Sequence, residues 1–373
     1  MPVARPTHVD IDLAALRHNF RLVRRQAGAG RQVLAVVKAD AYGHGAKGVA
    51  RALESEGADL FGVALLEEAR ELRAAGIRAP ILILGGIYPG QEAGFFEPDL
   101  IPCIFDLTTA RRLNAAAKSA GRILGCHIKI DTGMGRVGFF NGELQDMLPE
   151  LNKLANLRID GVMSHLAVAD EPRHPFTAEQ VERFRRALAR VREASHRPRF
   201  LHIDNSAALF AHDIPECNLV RPGIVLYGAL PSGHFAGRLD LRPVMHWRTS
   251  IALLKTLPTG SGVSYGHRFI ATRPTLVATL PVGYADGYNR RLTNCGEVLV
   301  RGRRVPVAGT VCMDWTMIDV TDVPGVQVGD EVTLLGQADG QWIRAEDWAE
   351  KIGTIPYEVF CQVSKRVPRI FKS

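Results

Sequence analysis

Eight short apolar runs recur through the first two-thirds of the chain, and segments with the hydrophobic period of an amphipathic helix separate most of them. The runs are 33–37, 60–64, 81–84, 101–105, 127–130, 161–165, 200–203 and 220–228, and the clearest helical segments are 45–56, 66–75, 108–120 and 178–194. Because the runs are continuously apolar, both faces of each strand must be buried, which is typical of a parallel sheet. The pattern predicts an α/β fold with a (β/α)8 TIM-type barrel, and a doubly wound open sheet is the alternative.

The hydrophobic pattern changes after residue 242. Short runs at 275–282, 297–309, 317–320 and 330–336 are separated by Gly and Pro and lack long helical stretches. Such runs predict an all-β domain. We therefore expect a barrel over residues 1–240 and a C-terminal β domain over residues 241–373.

Composition and hydropathy exclude several classes of protein. The 373 residues are 46% hydrophobic and 23% charged, which is ordinary for a globular protein and unlike a disordered chain. No apolar stretch approaches the roughly 20 residues of a membrane span, and the first residues lack the apolar segment of a secretory signal. We expect a cytoplasmic protein that does not contact a membrane.

Cysteine spacing and net charge point away from a metal or a nucleic-acid partner. The six cysteines, at positions 103, 126, 217, 295, 312 and 361, form no CxxC pair, so neither a metal site nor a disulfide framework is predicted. The net charge is +7, but the densest basic segment, 183–192, has apolar residues at helical spacing. That segment is better explained as the solvated face of a helix, and the positive charge also suits a carboxylate or phosphate ligand.

Two glycine patterns match G-x-G-x-x-G, at 43–48 and 133–138. In a dinucleotide site the first glycine opens the turn directly after a strand. Here residues 38–42 separate the first pattern from its strand, and the second has no clear strand–turn–helix context. We interpret these glycines as positions where the backbone lies close to something bulky.

Lys38 ends the apolar run 33–37 and is the strongest single indication of chemistry. A lysine that terminates a fully apolar strand is costly unless its amine is neutral, paired or covalently used. An amine at this position can form a Schiff base with a carbonyl compound such as pyridoxal phosphate. The structural alternative is a lysine whose amine extends out of the barrel rim into water.

Further polar residues follow the later strands of the predicted barrel, where side chains converge on one mouth. They are His165 and Asp170 after the sixth strand, Asn205 and Ser206 after the seventh, and Arg221, Gly223 and Ile224 at the start of the eighth. Loops after the last two strands of such barrels often bind phosphate through free N–H groups and hydroxyls. Taken singly, Ser206 could instead cap a helix and His165 could be a satisfied core histidine.

Seven segments of the chain resemble the alanine racemase family. They are VVKADAYGHG (36–45), HIKIDTGMGRVG (127–138), MSHLAVAD (163–170), SYG (264–266), LPVGYADGY (280–288), AGTVCMD (308–314) and IPYEV (355–359). The resemblance extends over nearly the whole chain, in order. It implies a barrel that binds pyridoxal 5'-phosphate, a β domain after it, and a head-to-tail homodimer with shared active sites that interconverts L- and D-alanine.

The resemblance also assigns roles to residues. Lys38 would bind pyridoxal phosphate and act as one catalytic base, and Tyr265 would be the opposite base, delivered from the partner subunit. The residues expected to bind the phosphate are Tyr42, Ser206, Gly223, Ile224 and Tyr357. The remaining expected cofactor contacts are Arg221 at the pyridine nitrogen and Arg136 at the phenolic oxygen, with His165 supporting Arg221 and Tyr265.

Three further residues are expected to serve the substrate. Met313 and Asp314 would reach across the dimer interface, and with Arg136 they would face the substrate carboxylate. Lys129 is commonly carbamylated in this family, which would orient Arg136, whereas an ordinary pairing of Lys129 with Asp131 is the alternative. Cys312 is more simply explained as a small buried residue than as a nucleophile.

Elementary chemistry agrees with a two-base racemase. Racemisation removes a proton from one face of Cα and delivers another to the opposite face, so two fixed bases are the simplest solution. Free lysine and tyrosine titrate near 10, so burial and neighbouring cations must lower both pKa values. An arginine at position 221 is too weak an acid to protonate a pyridine nitrogen, which favours simple proton exchange over decarboxylation.

Three other functions are compatible with the sequence. A racemase of broader specificity would act on serine or basic amino acids, because a methyl-sized difference is worth only about 1–3 kcal/mol in a pocket. A pyridoxal-phosphate carrier would lack the β domain and Tyr265. A nucleic-acid-binding protein would show steeply salt-dependent binding. The product D-alanine would serve peptidoglycan synthesis, or the reaction would serve alanine catabolism.

Overall fold

The computed structural model describes residues 5–373. In the first part of the chain the strands are β1 (His8–Asp12), β2 (Gln32–Val36), β3 (Leu60–Val63), β4 (Ile81–Ile83), β5 (Leu100–Ile104), β6 (Leu124–Asp131), β7 (Phe139–Phe140), β8 (Leu157–Met163), β9 (Phe200–His202) and β10 (Leu219–Val220). The right-handed helices are Leu13–Ala27, Ala46–Ser55, Leu66–Ala74, Leu107–Ser119, Leu144–Asn152, Phe176–Glu193 and Ser206–Ala211. Among residues 5–373, no helix combines the length and the apolar character needed to cross a bilayer.

The predicted barrel is confirmed. Eight parallel strands run in the order β10-β2-β3-β4-β5-β6-β8-β9, with β7 added beside β6. Two backbone hydrogen bonds, from Asn218 N to Leu201 O and from Arg221 N to Asp204 O, close the sheet between β9 and β10. Because the two ends of the strand order are joined, the open doubly wound sheet is excluded.

The predicted eighth strand, 220–228, is wrong in its extent. Strand β10 is only Leu219–Val220, and the apolar residues Ile224–Tyr227 form a buried 3-10 turn. Pro222 has no N–H to donate to a sheet, although its carbonyl still accepts a hydrogen bond from Val36 N. The run is apolar because the turn packs into the core, where the Tyr227 hydroxyl donates to Val36 O at 2.8 Å.

The second part of the chain is built on strands, as predicted. They are β11 (Met245–Ser250), β12 (Leu253–Leu257), β13 (Gly262–Val263), β14 (Phe269–Ile270), β15 (Thr275–Leu280), β16 (Glu297–Val300), β17 (Arg303–Pro306), β18 (Thr316–Asp319), β19 (Glu331–Ala338), β20 (Gln341–Ile343) and β21 (Arg369–Lys372). Two short helices, Ala345–Ile352 and Pro356–Cys361, accompany them. The predicted run 297–309 is a hairpin, because Arg301 and Gly302 adopt φ values of 48° and 72° and turn the chain.

The N-terminal strand belongs to the sheet of the second domain. Strand β1 pairs antiparallel with β11 and parallel with β21, within the order β17-β16-β19-β11-β1-β21. The predicted barrel domain 1–240 is therefore wrong for this strand, whose alternating burial suits a sheet with one covered face. The division near residue 240 otherwise stays a prediction.

The first glycine pattern brings backbone and bulky groups together, as predicted. A Cβ at Gly43 would lie 2.3 Å from the Phe360 carbonyl oxygen, and one at Gly48 would lie 2.3 Å from the Phe371 ring. Both contacts join the barrel to the C-terminal part of the chain. In the second pattern the interpretation is wrong for Gly135, which has open space around it and is needed for its φ of 68°.

The contact at Gly43 generates a stability prediction. Gly43→Ala is expected to lower the free energy of unfolding by about 3 kcal/mol, because the new methyl group must displace the Phe360 backbone. The matched control is Gly353→Ala, which has a similar left-handed φ of 69° but nothing within 4 Å. Its expected cost is about 1 kcal/mol. Urea unfolding measures both, and equal losses would contradict the close approach at Gly43.

Candidate active site

A cavity of about 660 Å³ opens at the carboxyl ends of the barrel strands. Ten of the predicted site residues line it, namely Lys38, Tyr42, Lys129, Arg136, His165, Ser206, Arg221, Gly223, Ile224 and Tyr357. Four of these are lysines or arginines, and no aspartate or glutamate is among the lining residues. A cavity of this size with concentrated positive charge suits a small anionic ligand.

Lys38 follows strand β2, and its side chain lines the cavity instead of extending away from the rim. Its amine has no hydrogen bond or ion pair with any residue that the structure describes. Burial, and then the nearby Arg136 cation, lower the pKa of Lys38, while Glu68 and Cys361 oppose the shift. A lower pKa increases the fraction of free amine, which a base or a Schiff-base nucleophile requires.

The backbone after Lys38 adopts an unusual conformation. Ala39, Asp40, Ala41 and Tyr42 all have φ between 53° and 55°, which makes a left-handed turn of four non-glycine residues. Such a conformation costs roughly 1–2 kcal/mol per residue. Hydrogen bonds from Ala41 N to Val37 O and from Gly43 N to Ala39 O, both 2.9 Å, help to hold it. Strain of this kind is often found where a functional side chain must be aimed.

Arg221 is buried and is held by neutral acceptors. Its guanidinium donates to Ser164 O at 2.7 Å, Ile203 O at 3.2 Å, His202 Nδ1 at 2.9 Å and His165 Nδ1 at 3.3 Å. Burial lowers the pKa of Arg221 to about 10. Arg221 therefore stays cationic near neutral pH, and its orientation in the cavity is fixed.

The arginine dictates the tautomers of three histidines. Because a guanidinium only donates, His202 Nδ1 must accept, which leaves the proton on His202 Nε2. That nitrogen lies 2.9 Å from His127 Nδ1, so His127 carries its own proton on Nε2. His165 likewise accepts at Nδ1 and keeps an Nε2–H group. Burial, and then Arg221, lower the pKa values of His165 and His202, while burial lowers that of His127 to about 3.

Lys129 lies on strand β6 and is buried. Burial, with help from Arg136 and Arg221, lowers its pKa to about 8. The alternative pairing with Asp131 is absent, because the Asp131 carboxylate instead accepts hydrogen bonds from Gly133 N and Gly135 N. Lys129 therefore has an appreciable fraction of neutral amine near neutral pH.

Hydroxyl and amide groups collect at one end of the cavity. Gly223 N donates to Ser206 Oγ at 2.8 Å, and a Cβ at Gly223 would lie 2.5 Å from the Tyr42 hydroxyl oxygen. Asn205, not Ser206, caps the following helix, since its side chain accepts from Ala208 N. Burial raises the pKa of Tyr42 and raises that of Tyr357 to about 12, so both phenols are neutral donors.

Three predicted site residues lie outside this cavity. Tyr265 and Met313 are 72% and 52% exposed, and Asp314 accepts a hydrogen bond from Arg366 at 2.7 Å. The Tyr265 backbone is nevertheless anchored, because Thr310 Oγ1 donates to Tyr265 O at 2.7 Å. The structure therefore does not bring these residues to the cavity of their own chain.

Several lining residues were missed in the sequence, including Ala39, Leu84, Met163 and Cys361. The apolar ones follow barrel strands or lie on them and carry no pattern that separates them from core. Cys361 lies four residues after Tyr357 on one short helix, so helical spacing could have placed both on the same face.

Comparison with known proteins gives consistent matches along the chain. Family models described as the alanine racemase N-terminal and C-terminal domains match residues 11–231 and 244–371. An alanine racemase from Geobacter sulfurreducens is 54% identical over 372 residues, covering 99% of this chain and 97% of that protein.

Solved structures agree with the sequence matches. The alanine racemase of Streptomyces lavendulae has 38% identity and a TM-score of 0.94, covering 100% of this chain and 98% of that chain. That of Bartonella henselae, solved with covalently bound pyridoxal phosphate, has 30% identity and a TM-score of 0.89, covering 98% and 99%.

The buried histidines generate a prediction about pH. Unfolded histidine titrates near 6.5, so below that pH the unfolded chain binds more protons than the folded chain and the free energy of unfolding falls. With a folded pKa of about 3, His127 should account for about 2 kcal/mol of the loss between pH 7 and pH 5. Urea unfolding of His127→Phe is expected to show a correspondingly shallower pH dependence.

The control is His234→Gln, because His234 is exposed on the surface. Its pH dependence is expected to match that of the unmodified chain. An unchanged slope in His127→Phe would contradict a neutral buried imidazole at this position.

Proposed function

The chain belongs to the alanine racemase family and is an isomerase, and we propose that it interconverts L- and D-alanine on pyridoxal 5'-phosphate held in the barrel cavity. Lys38 and Tyr265 are proposed as the two bases, Tyr265 coming from a second copy of the chain. The observation that carries this proposal is one cavity lined by two lysines and two arginines, with no carboxylate among its lining residues and an unpaired Lys38 amine.

The residues of the cavity fit pyridoxal phosphate. The phosphate would be held by the Ser206 hydroxyl, the amides of Gly223 and Ile224, and the phenols of Tyr42 and Tyr357. The close approach of Tyr42 to Gly223 supports this placement, because any side chain at position 223 would fill the space. The Lys38 amine supplies the nucleophile that a carbonyl group requires, and Arg221 would lie beside the ring nitrogen.

Proton transfer is the task of the chain's own residues. Pyridoxal phosphate, when bound, supplies an electron sink that acidifies the Cα–H bond of an amino acid. Lys38, whose pKa is lowered by burial and Arg136, takes or gives the proton on one face of Cα. The Tyr265 phenol does the same on the other face, and His165 Nε2–H is available to donate to the Tyr265 oxygen.

Arg221 favours simple proton exchange over other reactions. It is too weak an acid to give up a proton to a pyridine nitrogen, even with its pKa lowered to about 10. Its acceptors are carbonyl oxygens and imidazole nitrogens, so no carboxylate relays a proton to this position. Arg221 would therefore leave the pyridine nitrogen unprotonated. The weaker electron sink that results would favour removal of the Cα proton over decarboxylation.

Arg136 is proposed to bind the substrate carboxylate and the cofactor's phenolic oxygen. A carbamate on Lys129 would convert a cation into an anion and orient Arg136, and carbamylation needs the neutral amine that a pKa of about 8 provides. Met313 and Asp314 of a second copy are proposed to complete the carboxylate site.

A homodimer accounts for the exposed face around Tyr265. Leu253, Met313 and Trp315 are also large and exposed, at 52%, 52% and 46%. Such clustered apolar side chains are typical of a protein interface. Docking this face over the barrel mouth of a second copy would bury it and deliver Tyr265 to the cavity.

We propose a cytoplasmic enzyme whose product D-alanine serves peptidoglycan synthesis, or one that serves alanine catabolism. Action on serine or basic amino acids is the second substrate hypothesis, and turnover rates on those amino acids test it. A pyridoxal-phosphate carrier has less support, because such a protein would need no anchored Tyr265 in a C-terminal domain.

A hybrid dimer tests the shared site. Lys38→Ala and Tyr265→Phe are each expected to leave less than about 1% of the racemase activity, because each removes one of the two bases. A hybrid of the two variants, purified through two different affinity tags, keeps one intact pair of bases and is expected to have about half of the normal activity.

The matched control is a hybrid of the unmodified chain with a chain carrying both substitutions. It should be inactive if the bases come from different subunits, because neither site then has an intact pair. Activity in this control and none in the first hybrid would overturn the sharing of sites.

A further inference from the structure

One carboxylate links the turn after Lys38 to the neighbouring strand end. Glu68 Oε1 accepts a hydrogen bond from Ala39 N at 2.6 Å, and Glu68 Oε2 accepts from Ala64 N at 2.7 Å and from Leu65 N at 3.1 Å. Ala39 begins the left-handed turn, and both Ala39 and Ala64 line the cavity. A single side chain therefore connects the mouths of strands β2 and β3.

We propose that Glu68 is a positioning residue that aims the Lys38 amine into the cavity and maintains the charge balance around it. This proposal rests on the proposed function of Lys38 as a base. The bond to Ala39 N fixes the peptide that follows Lys38, where the backbone must enter a conformation that it does not prefer. Glu68 acts through the backbone and is not itself a catalytic residue.

The charges around Lys38 also connect it to Glu68. The charged and titratable neighbours of Lys38 are Arg136, which disfavours its cationic form, and Glu68 and Cys361, which favour it. Glu68 also lines a second cavity on the other side of the turn, together with the charged residues Asp40, Lys47, Glu71, Lys365 and Arg369. Among these, Lys47 and Glu71 form an exposed ion pair with 3.9 Å between Nζ and Oε2.

A role limited to helix capping would explain only part of the geometry. Glu68 is the third residue of the helix Leu66–Ala74, and its side chain accepts a hydrogen bond from Leu65 N, the residue that precedes the helix. The bond to Ala39 N lies outside the helix and uses the second carboxylate oxygen. A glutamine has one acceptor oxygen, so Glu68→Gln cannot serve both strand ends at once.

The experiment measures the amine of Lys38 directly. The full-length chain, freed of pyridoxal phosphate, is labelled with acetic anhydride over a range of pH, and mass spectrometry follows acetylation at Lys38. Glu68→Gln is expected to lower the apparent pKa of Lys38 by about 0.5–1 pH unit, because a neighbouring anion is lost. With the cofactor present, kcat is expected to fall about tenfold with KM within about twofold, because Lys38 is less well aimed.

Glu67→Gln is the matched control, since Glu67 carries the same charge on the same helical turn and its side chain instead accepts from Gln91 Nε2. It should leave both readouts unchanged. Glu68→Asp keeps the charge but shortens the reach, so it should lower kcat with little change in the pKa. It also serves as the test if Glu68→Gln does not fold.

Lower thermal stability of Glu68→Gln with the pKa of Lys38 and kcat unchanged would reduce Glu68 to a helix cap and overturn the proposal. The labelling needs no racemisation. A shift in the pKa of Lys38 in a chain that does not racemise alanine would contradict the proposed function and leave the electrostatic link between Glu68 and Lys38 intact.

Discussion

The active site depends on the burial of positive charge that no carboxylate in the cavity neutralises. Lys38, Lys129, Arg136 and Arg221 line one space, and desolvation there lowers the pKa values of Lys38, Lys129 and Arg221. Arg221 is satisfied by carbonyl oxygens and imidazole nitrogens, which accept its protons without cancelling its charge. The cavity is therefore prepared for anions, and a bound phosphate and a substrate carboxylate would stabilise the fold that holds them.

The Arg221 guanidinium also determines which ring nitrogens of the neighbouring histidines carry a proton. Since Arg221 can only donate, the chain of His202 and His127 has one possible order of protons, and His165 presents its Nε2–H group. The His127 Nε2–H group has no partner among residues 5–373. Each hydrogen bond of this buried network is therefore donated in the same sense, from Arg221 to His202 and from His202 to His127. The network begins at a cation and ends at the unpaired N–H group of His127.

Much of the fold could be predicted because its signal is local. Continuous apolar runs located the barrel strands, and the residues that follow them located the lining of the cavity, including Lys38, His165 and Arg221. Three features were missed, and one of them, the pairing of β1, depends on contacts distant in the sequence. Pro222 ends the eighth strand early, β1 joins a sheet formed by residues more than 230 positions away, and Ala39–Tyr42 take a left-handed conformation that their residue types do not favour.

Some features of the candidate site could not be predicted from the sequence either. The resemblance named Tyr265, Met313 and Asp314, but one chain keeps them away from its own cavity, so the roles proposed for them would require a second copy. Glu68 was not singled out, because a glutamate in the first turn of a helix is common and is explained by the helix dipole alone. Only the structure shows that its second oxygen holds the residue after Lys38.

The most direct test of two-base racemisation is to add L-alanine to the protein saturated with pyridoxal phosphate in D2O. Circular dichroism would follow chirality, and NMR would follow deuterium at Cα. Loss of optical activity together with deuteration at Cα, both absent in Lys38→Ala, is the predicted result. Deuteration without loss of optical activity would mean that a single base exchanges the proton on one face, which would contradict the role of Tyr265.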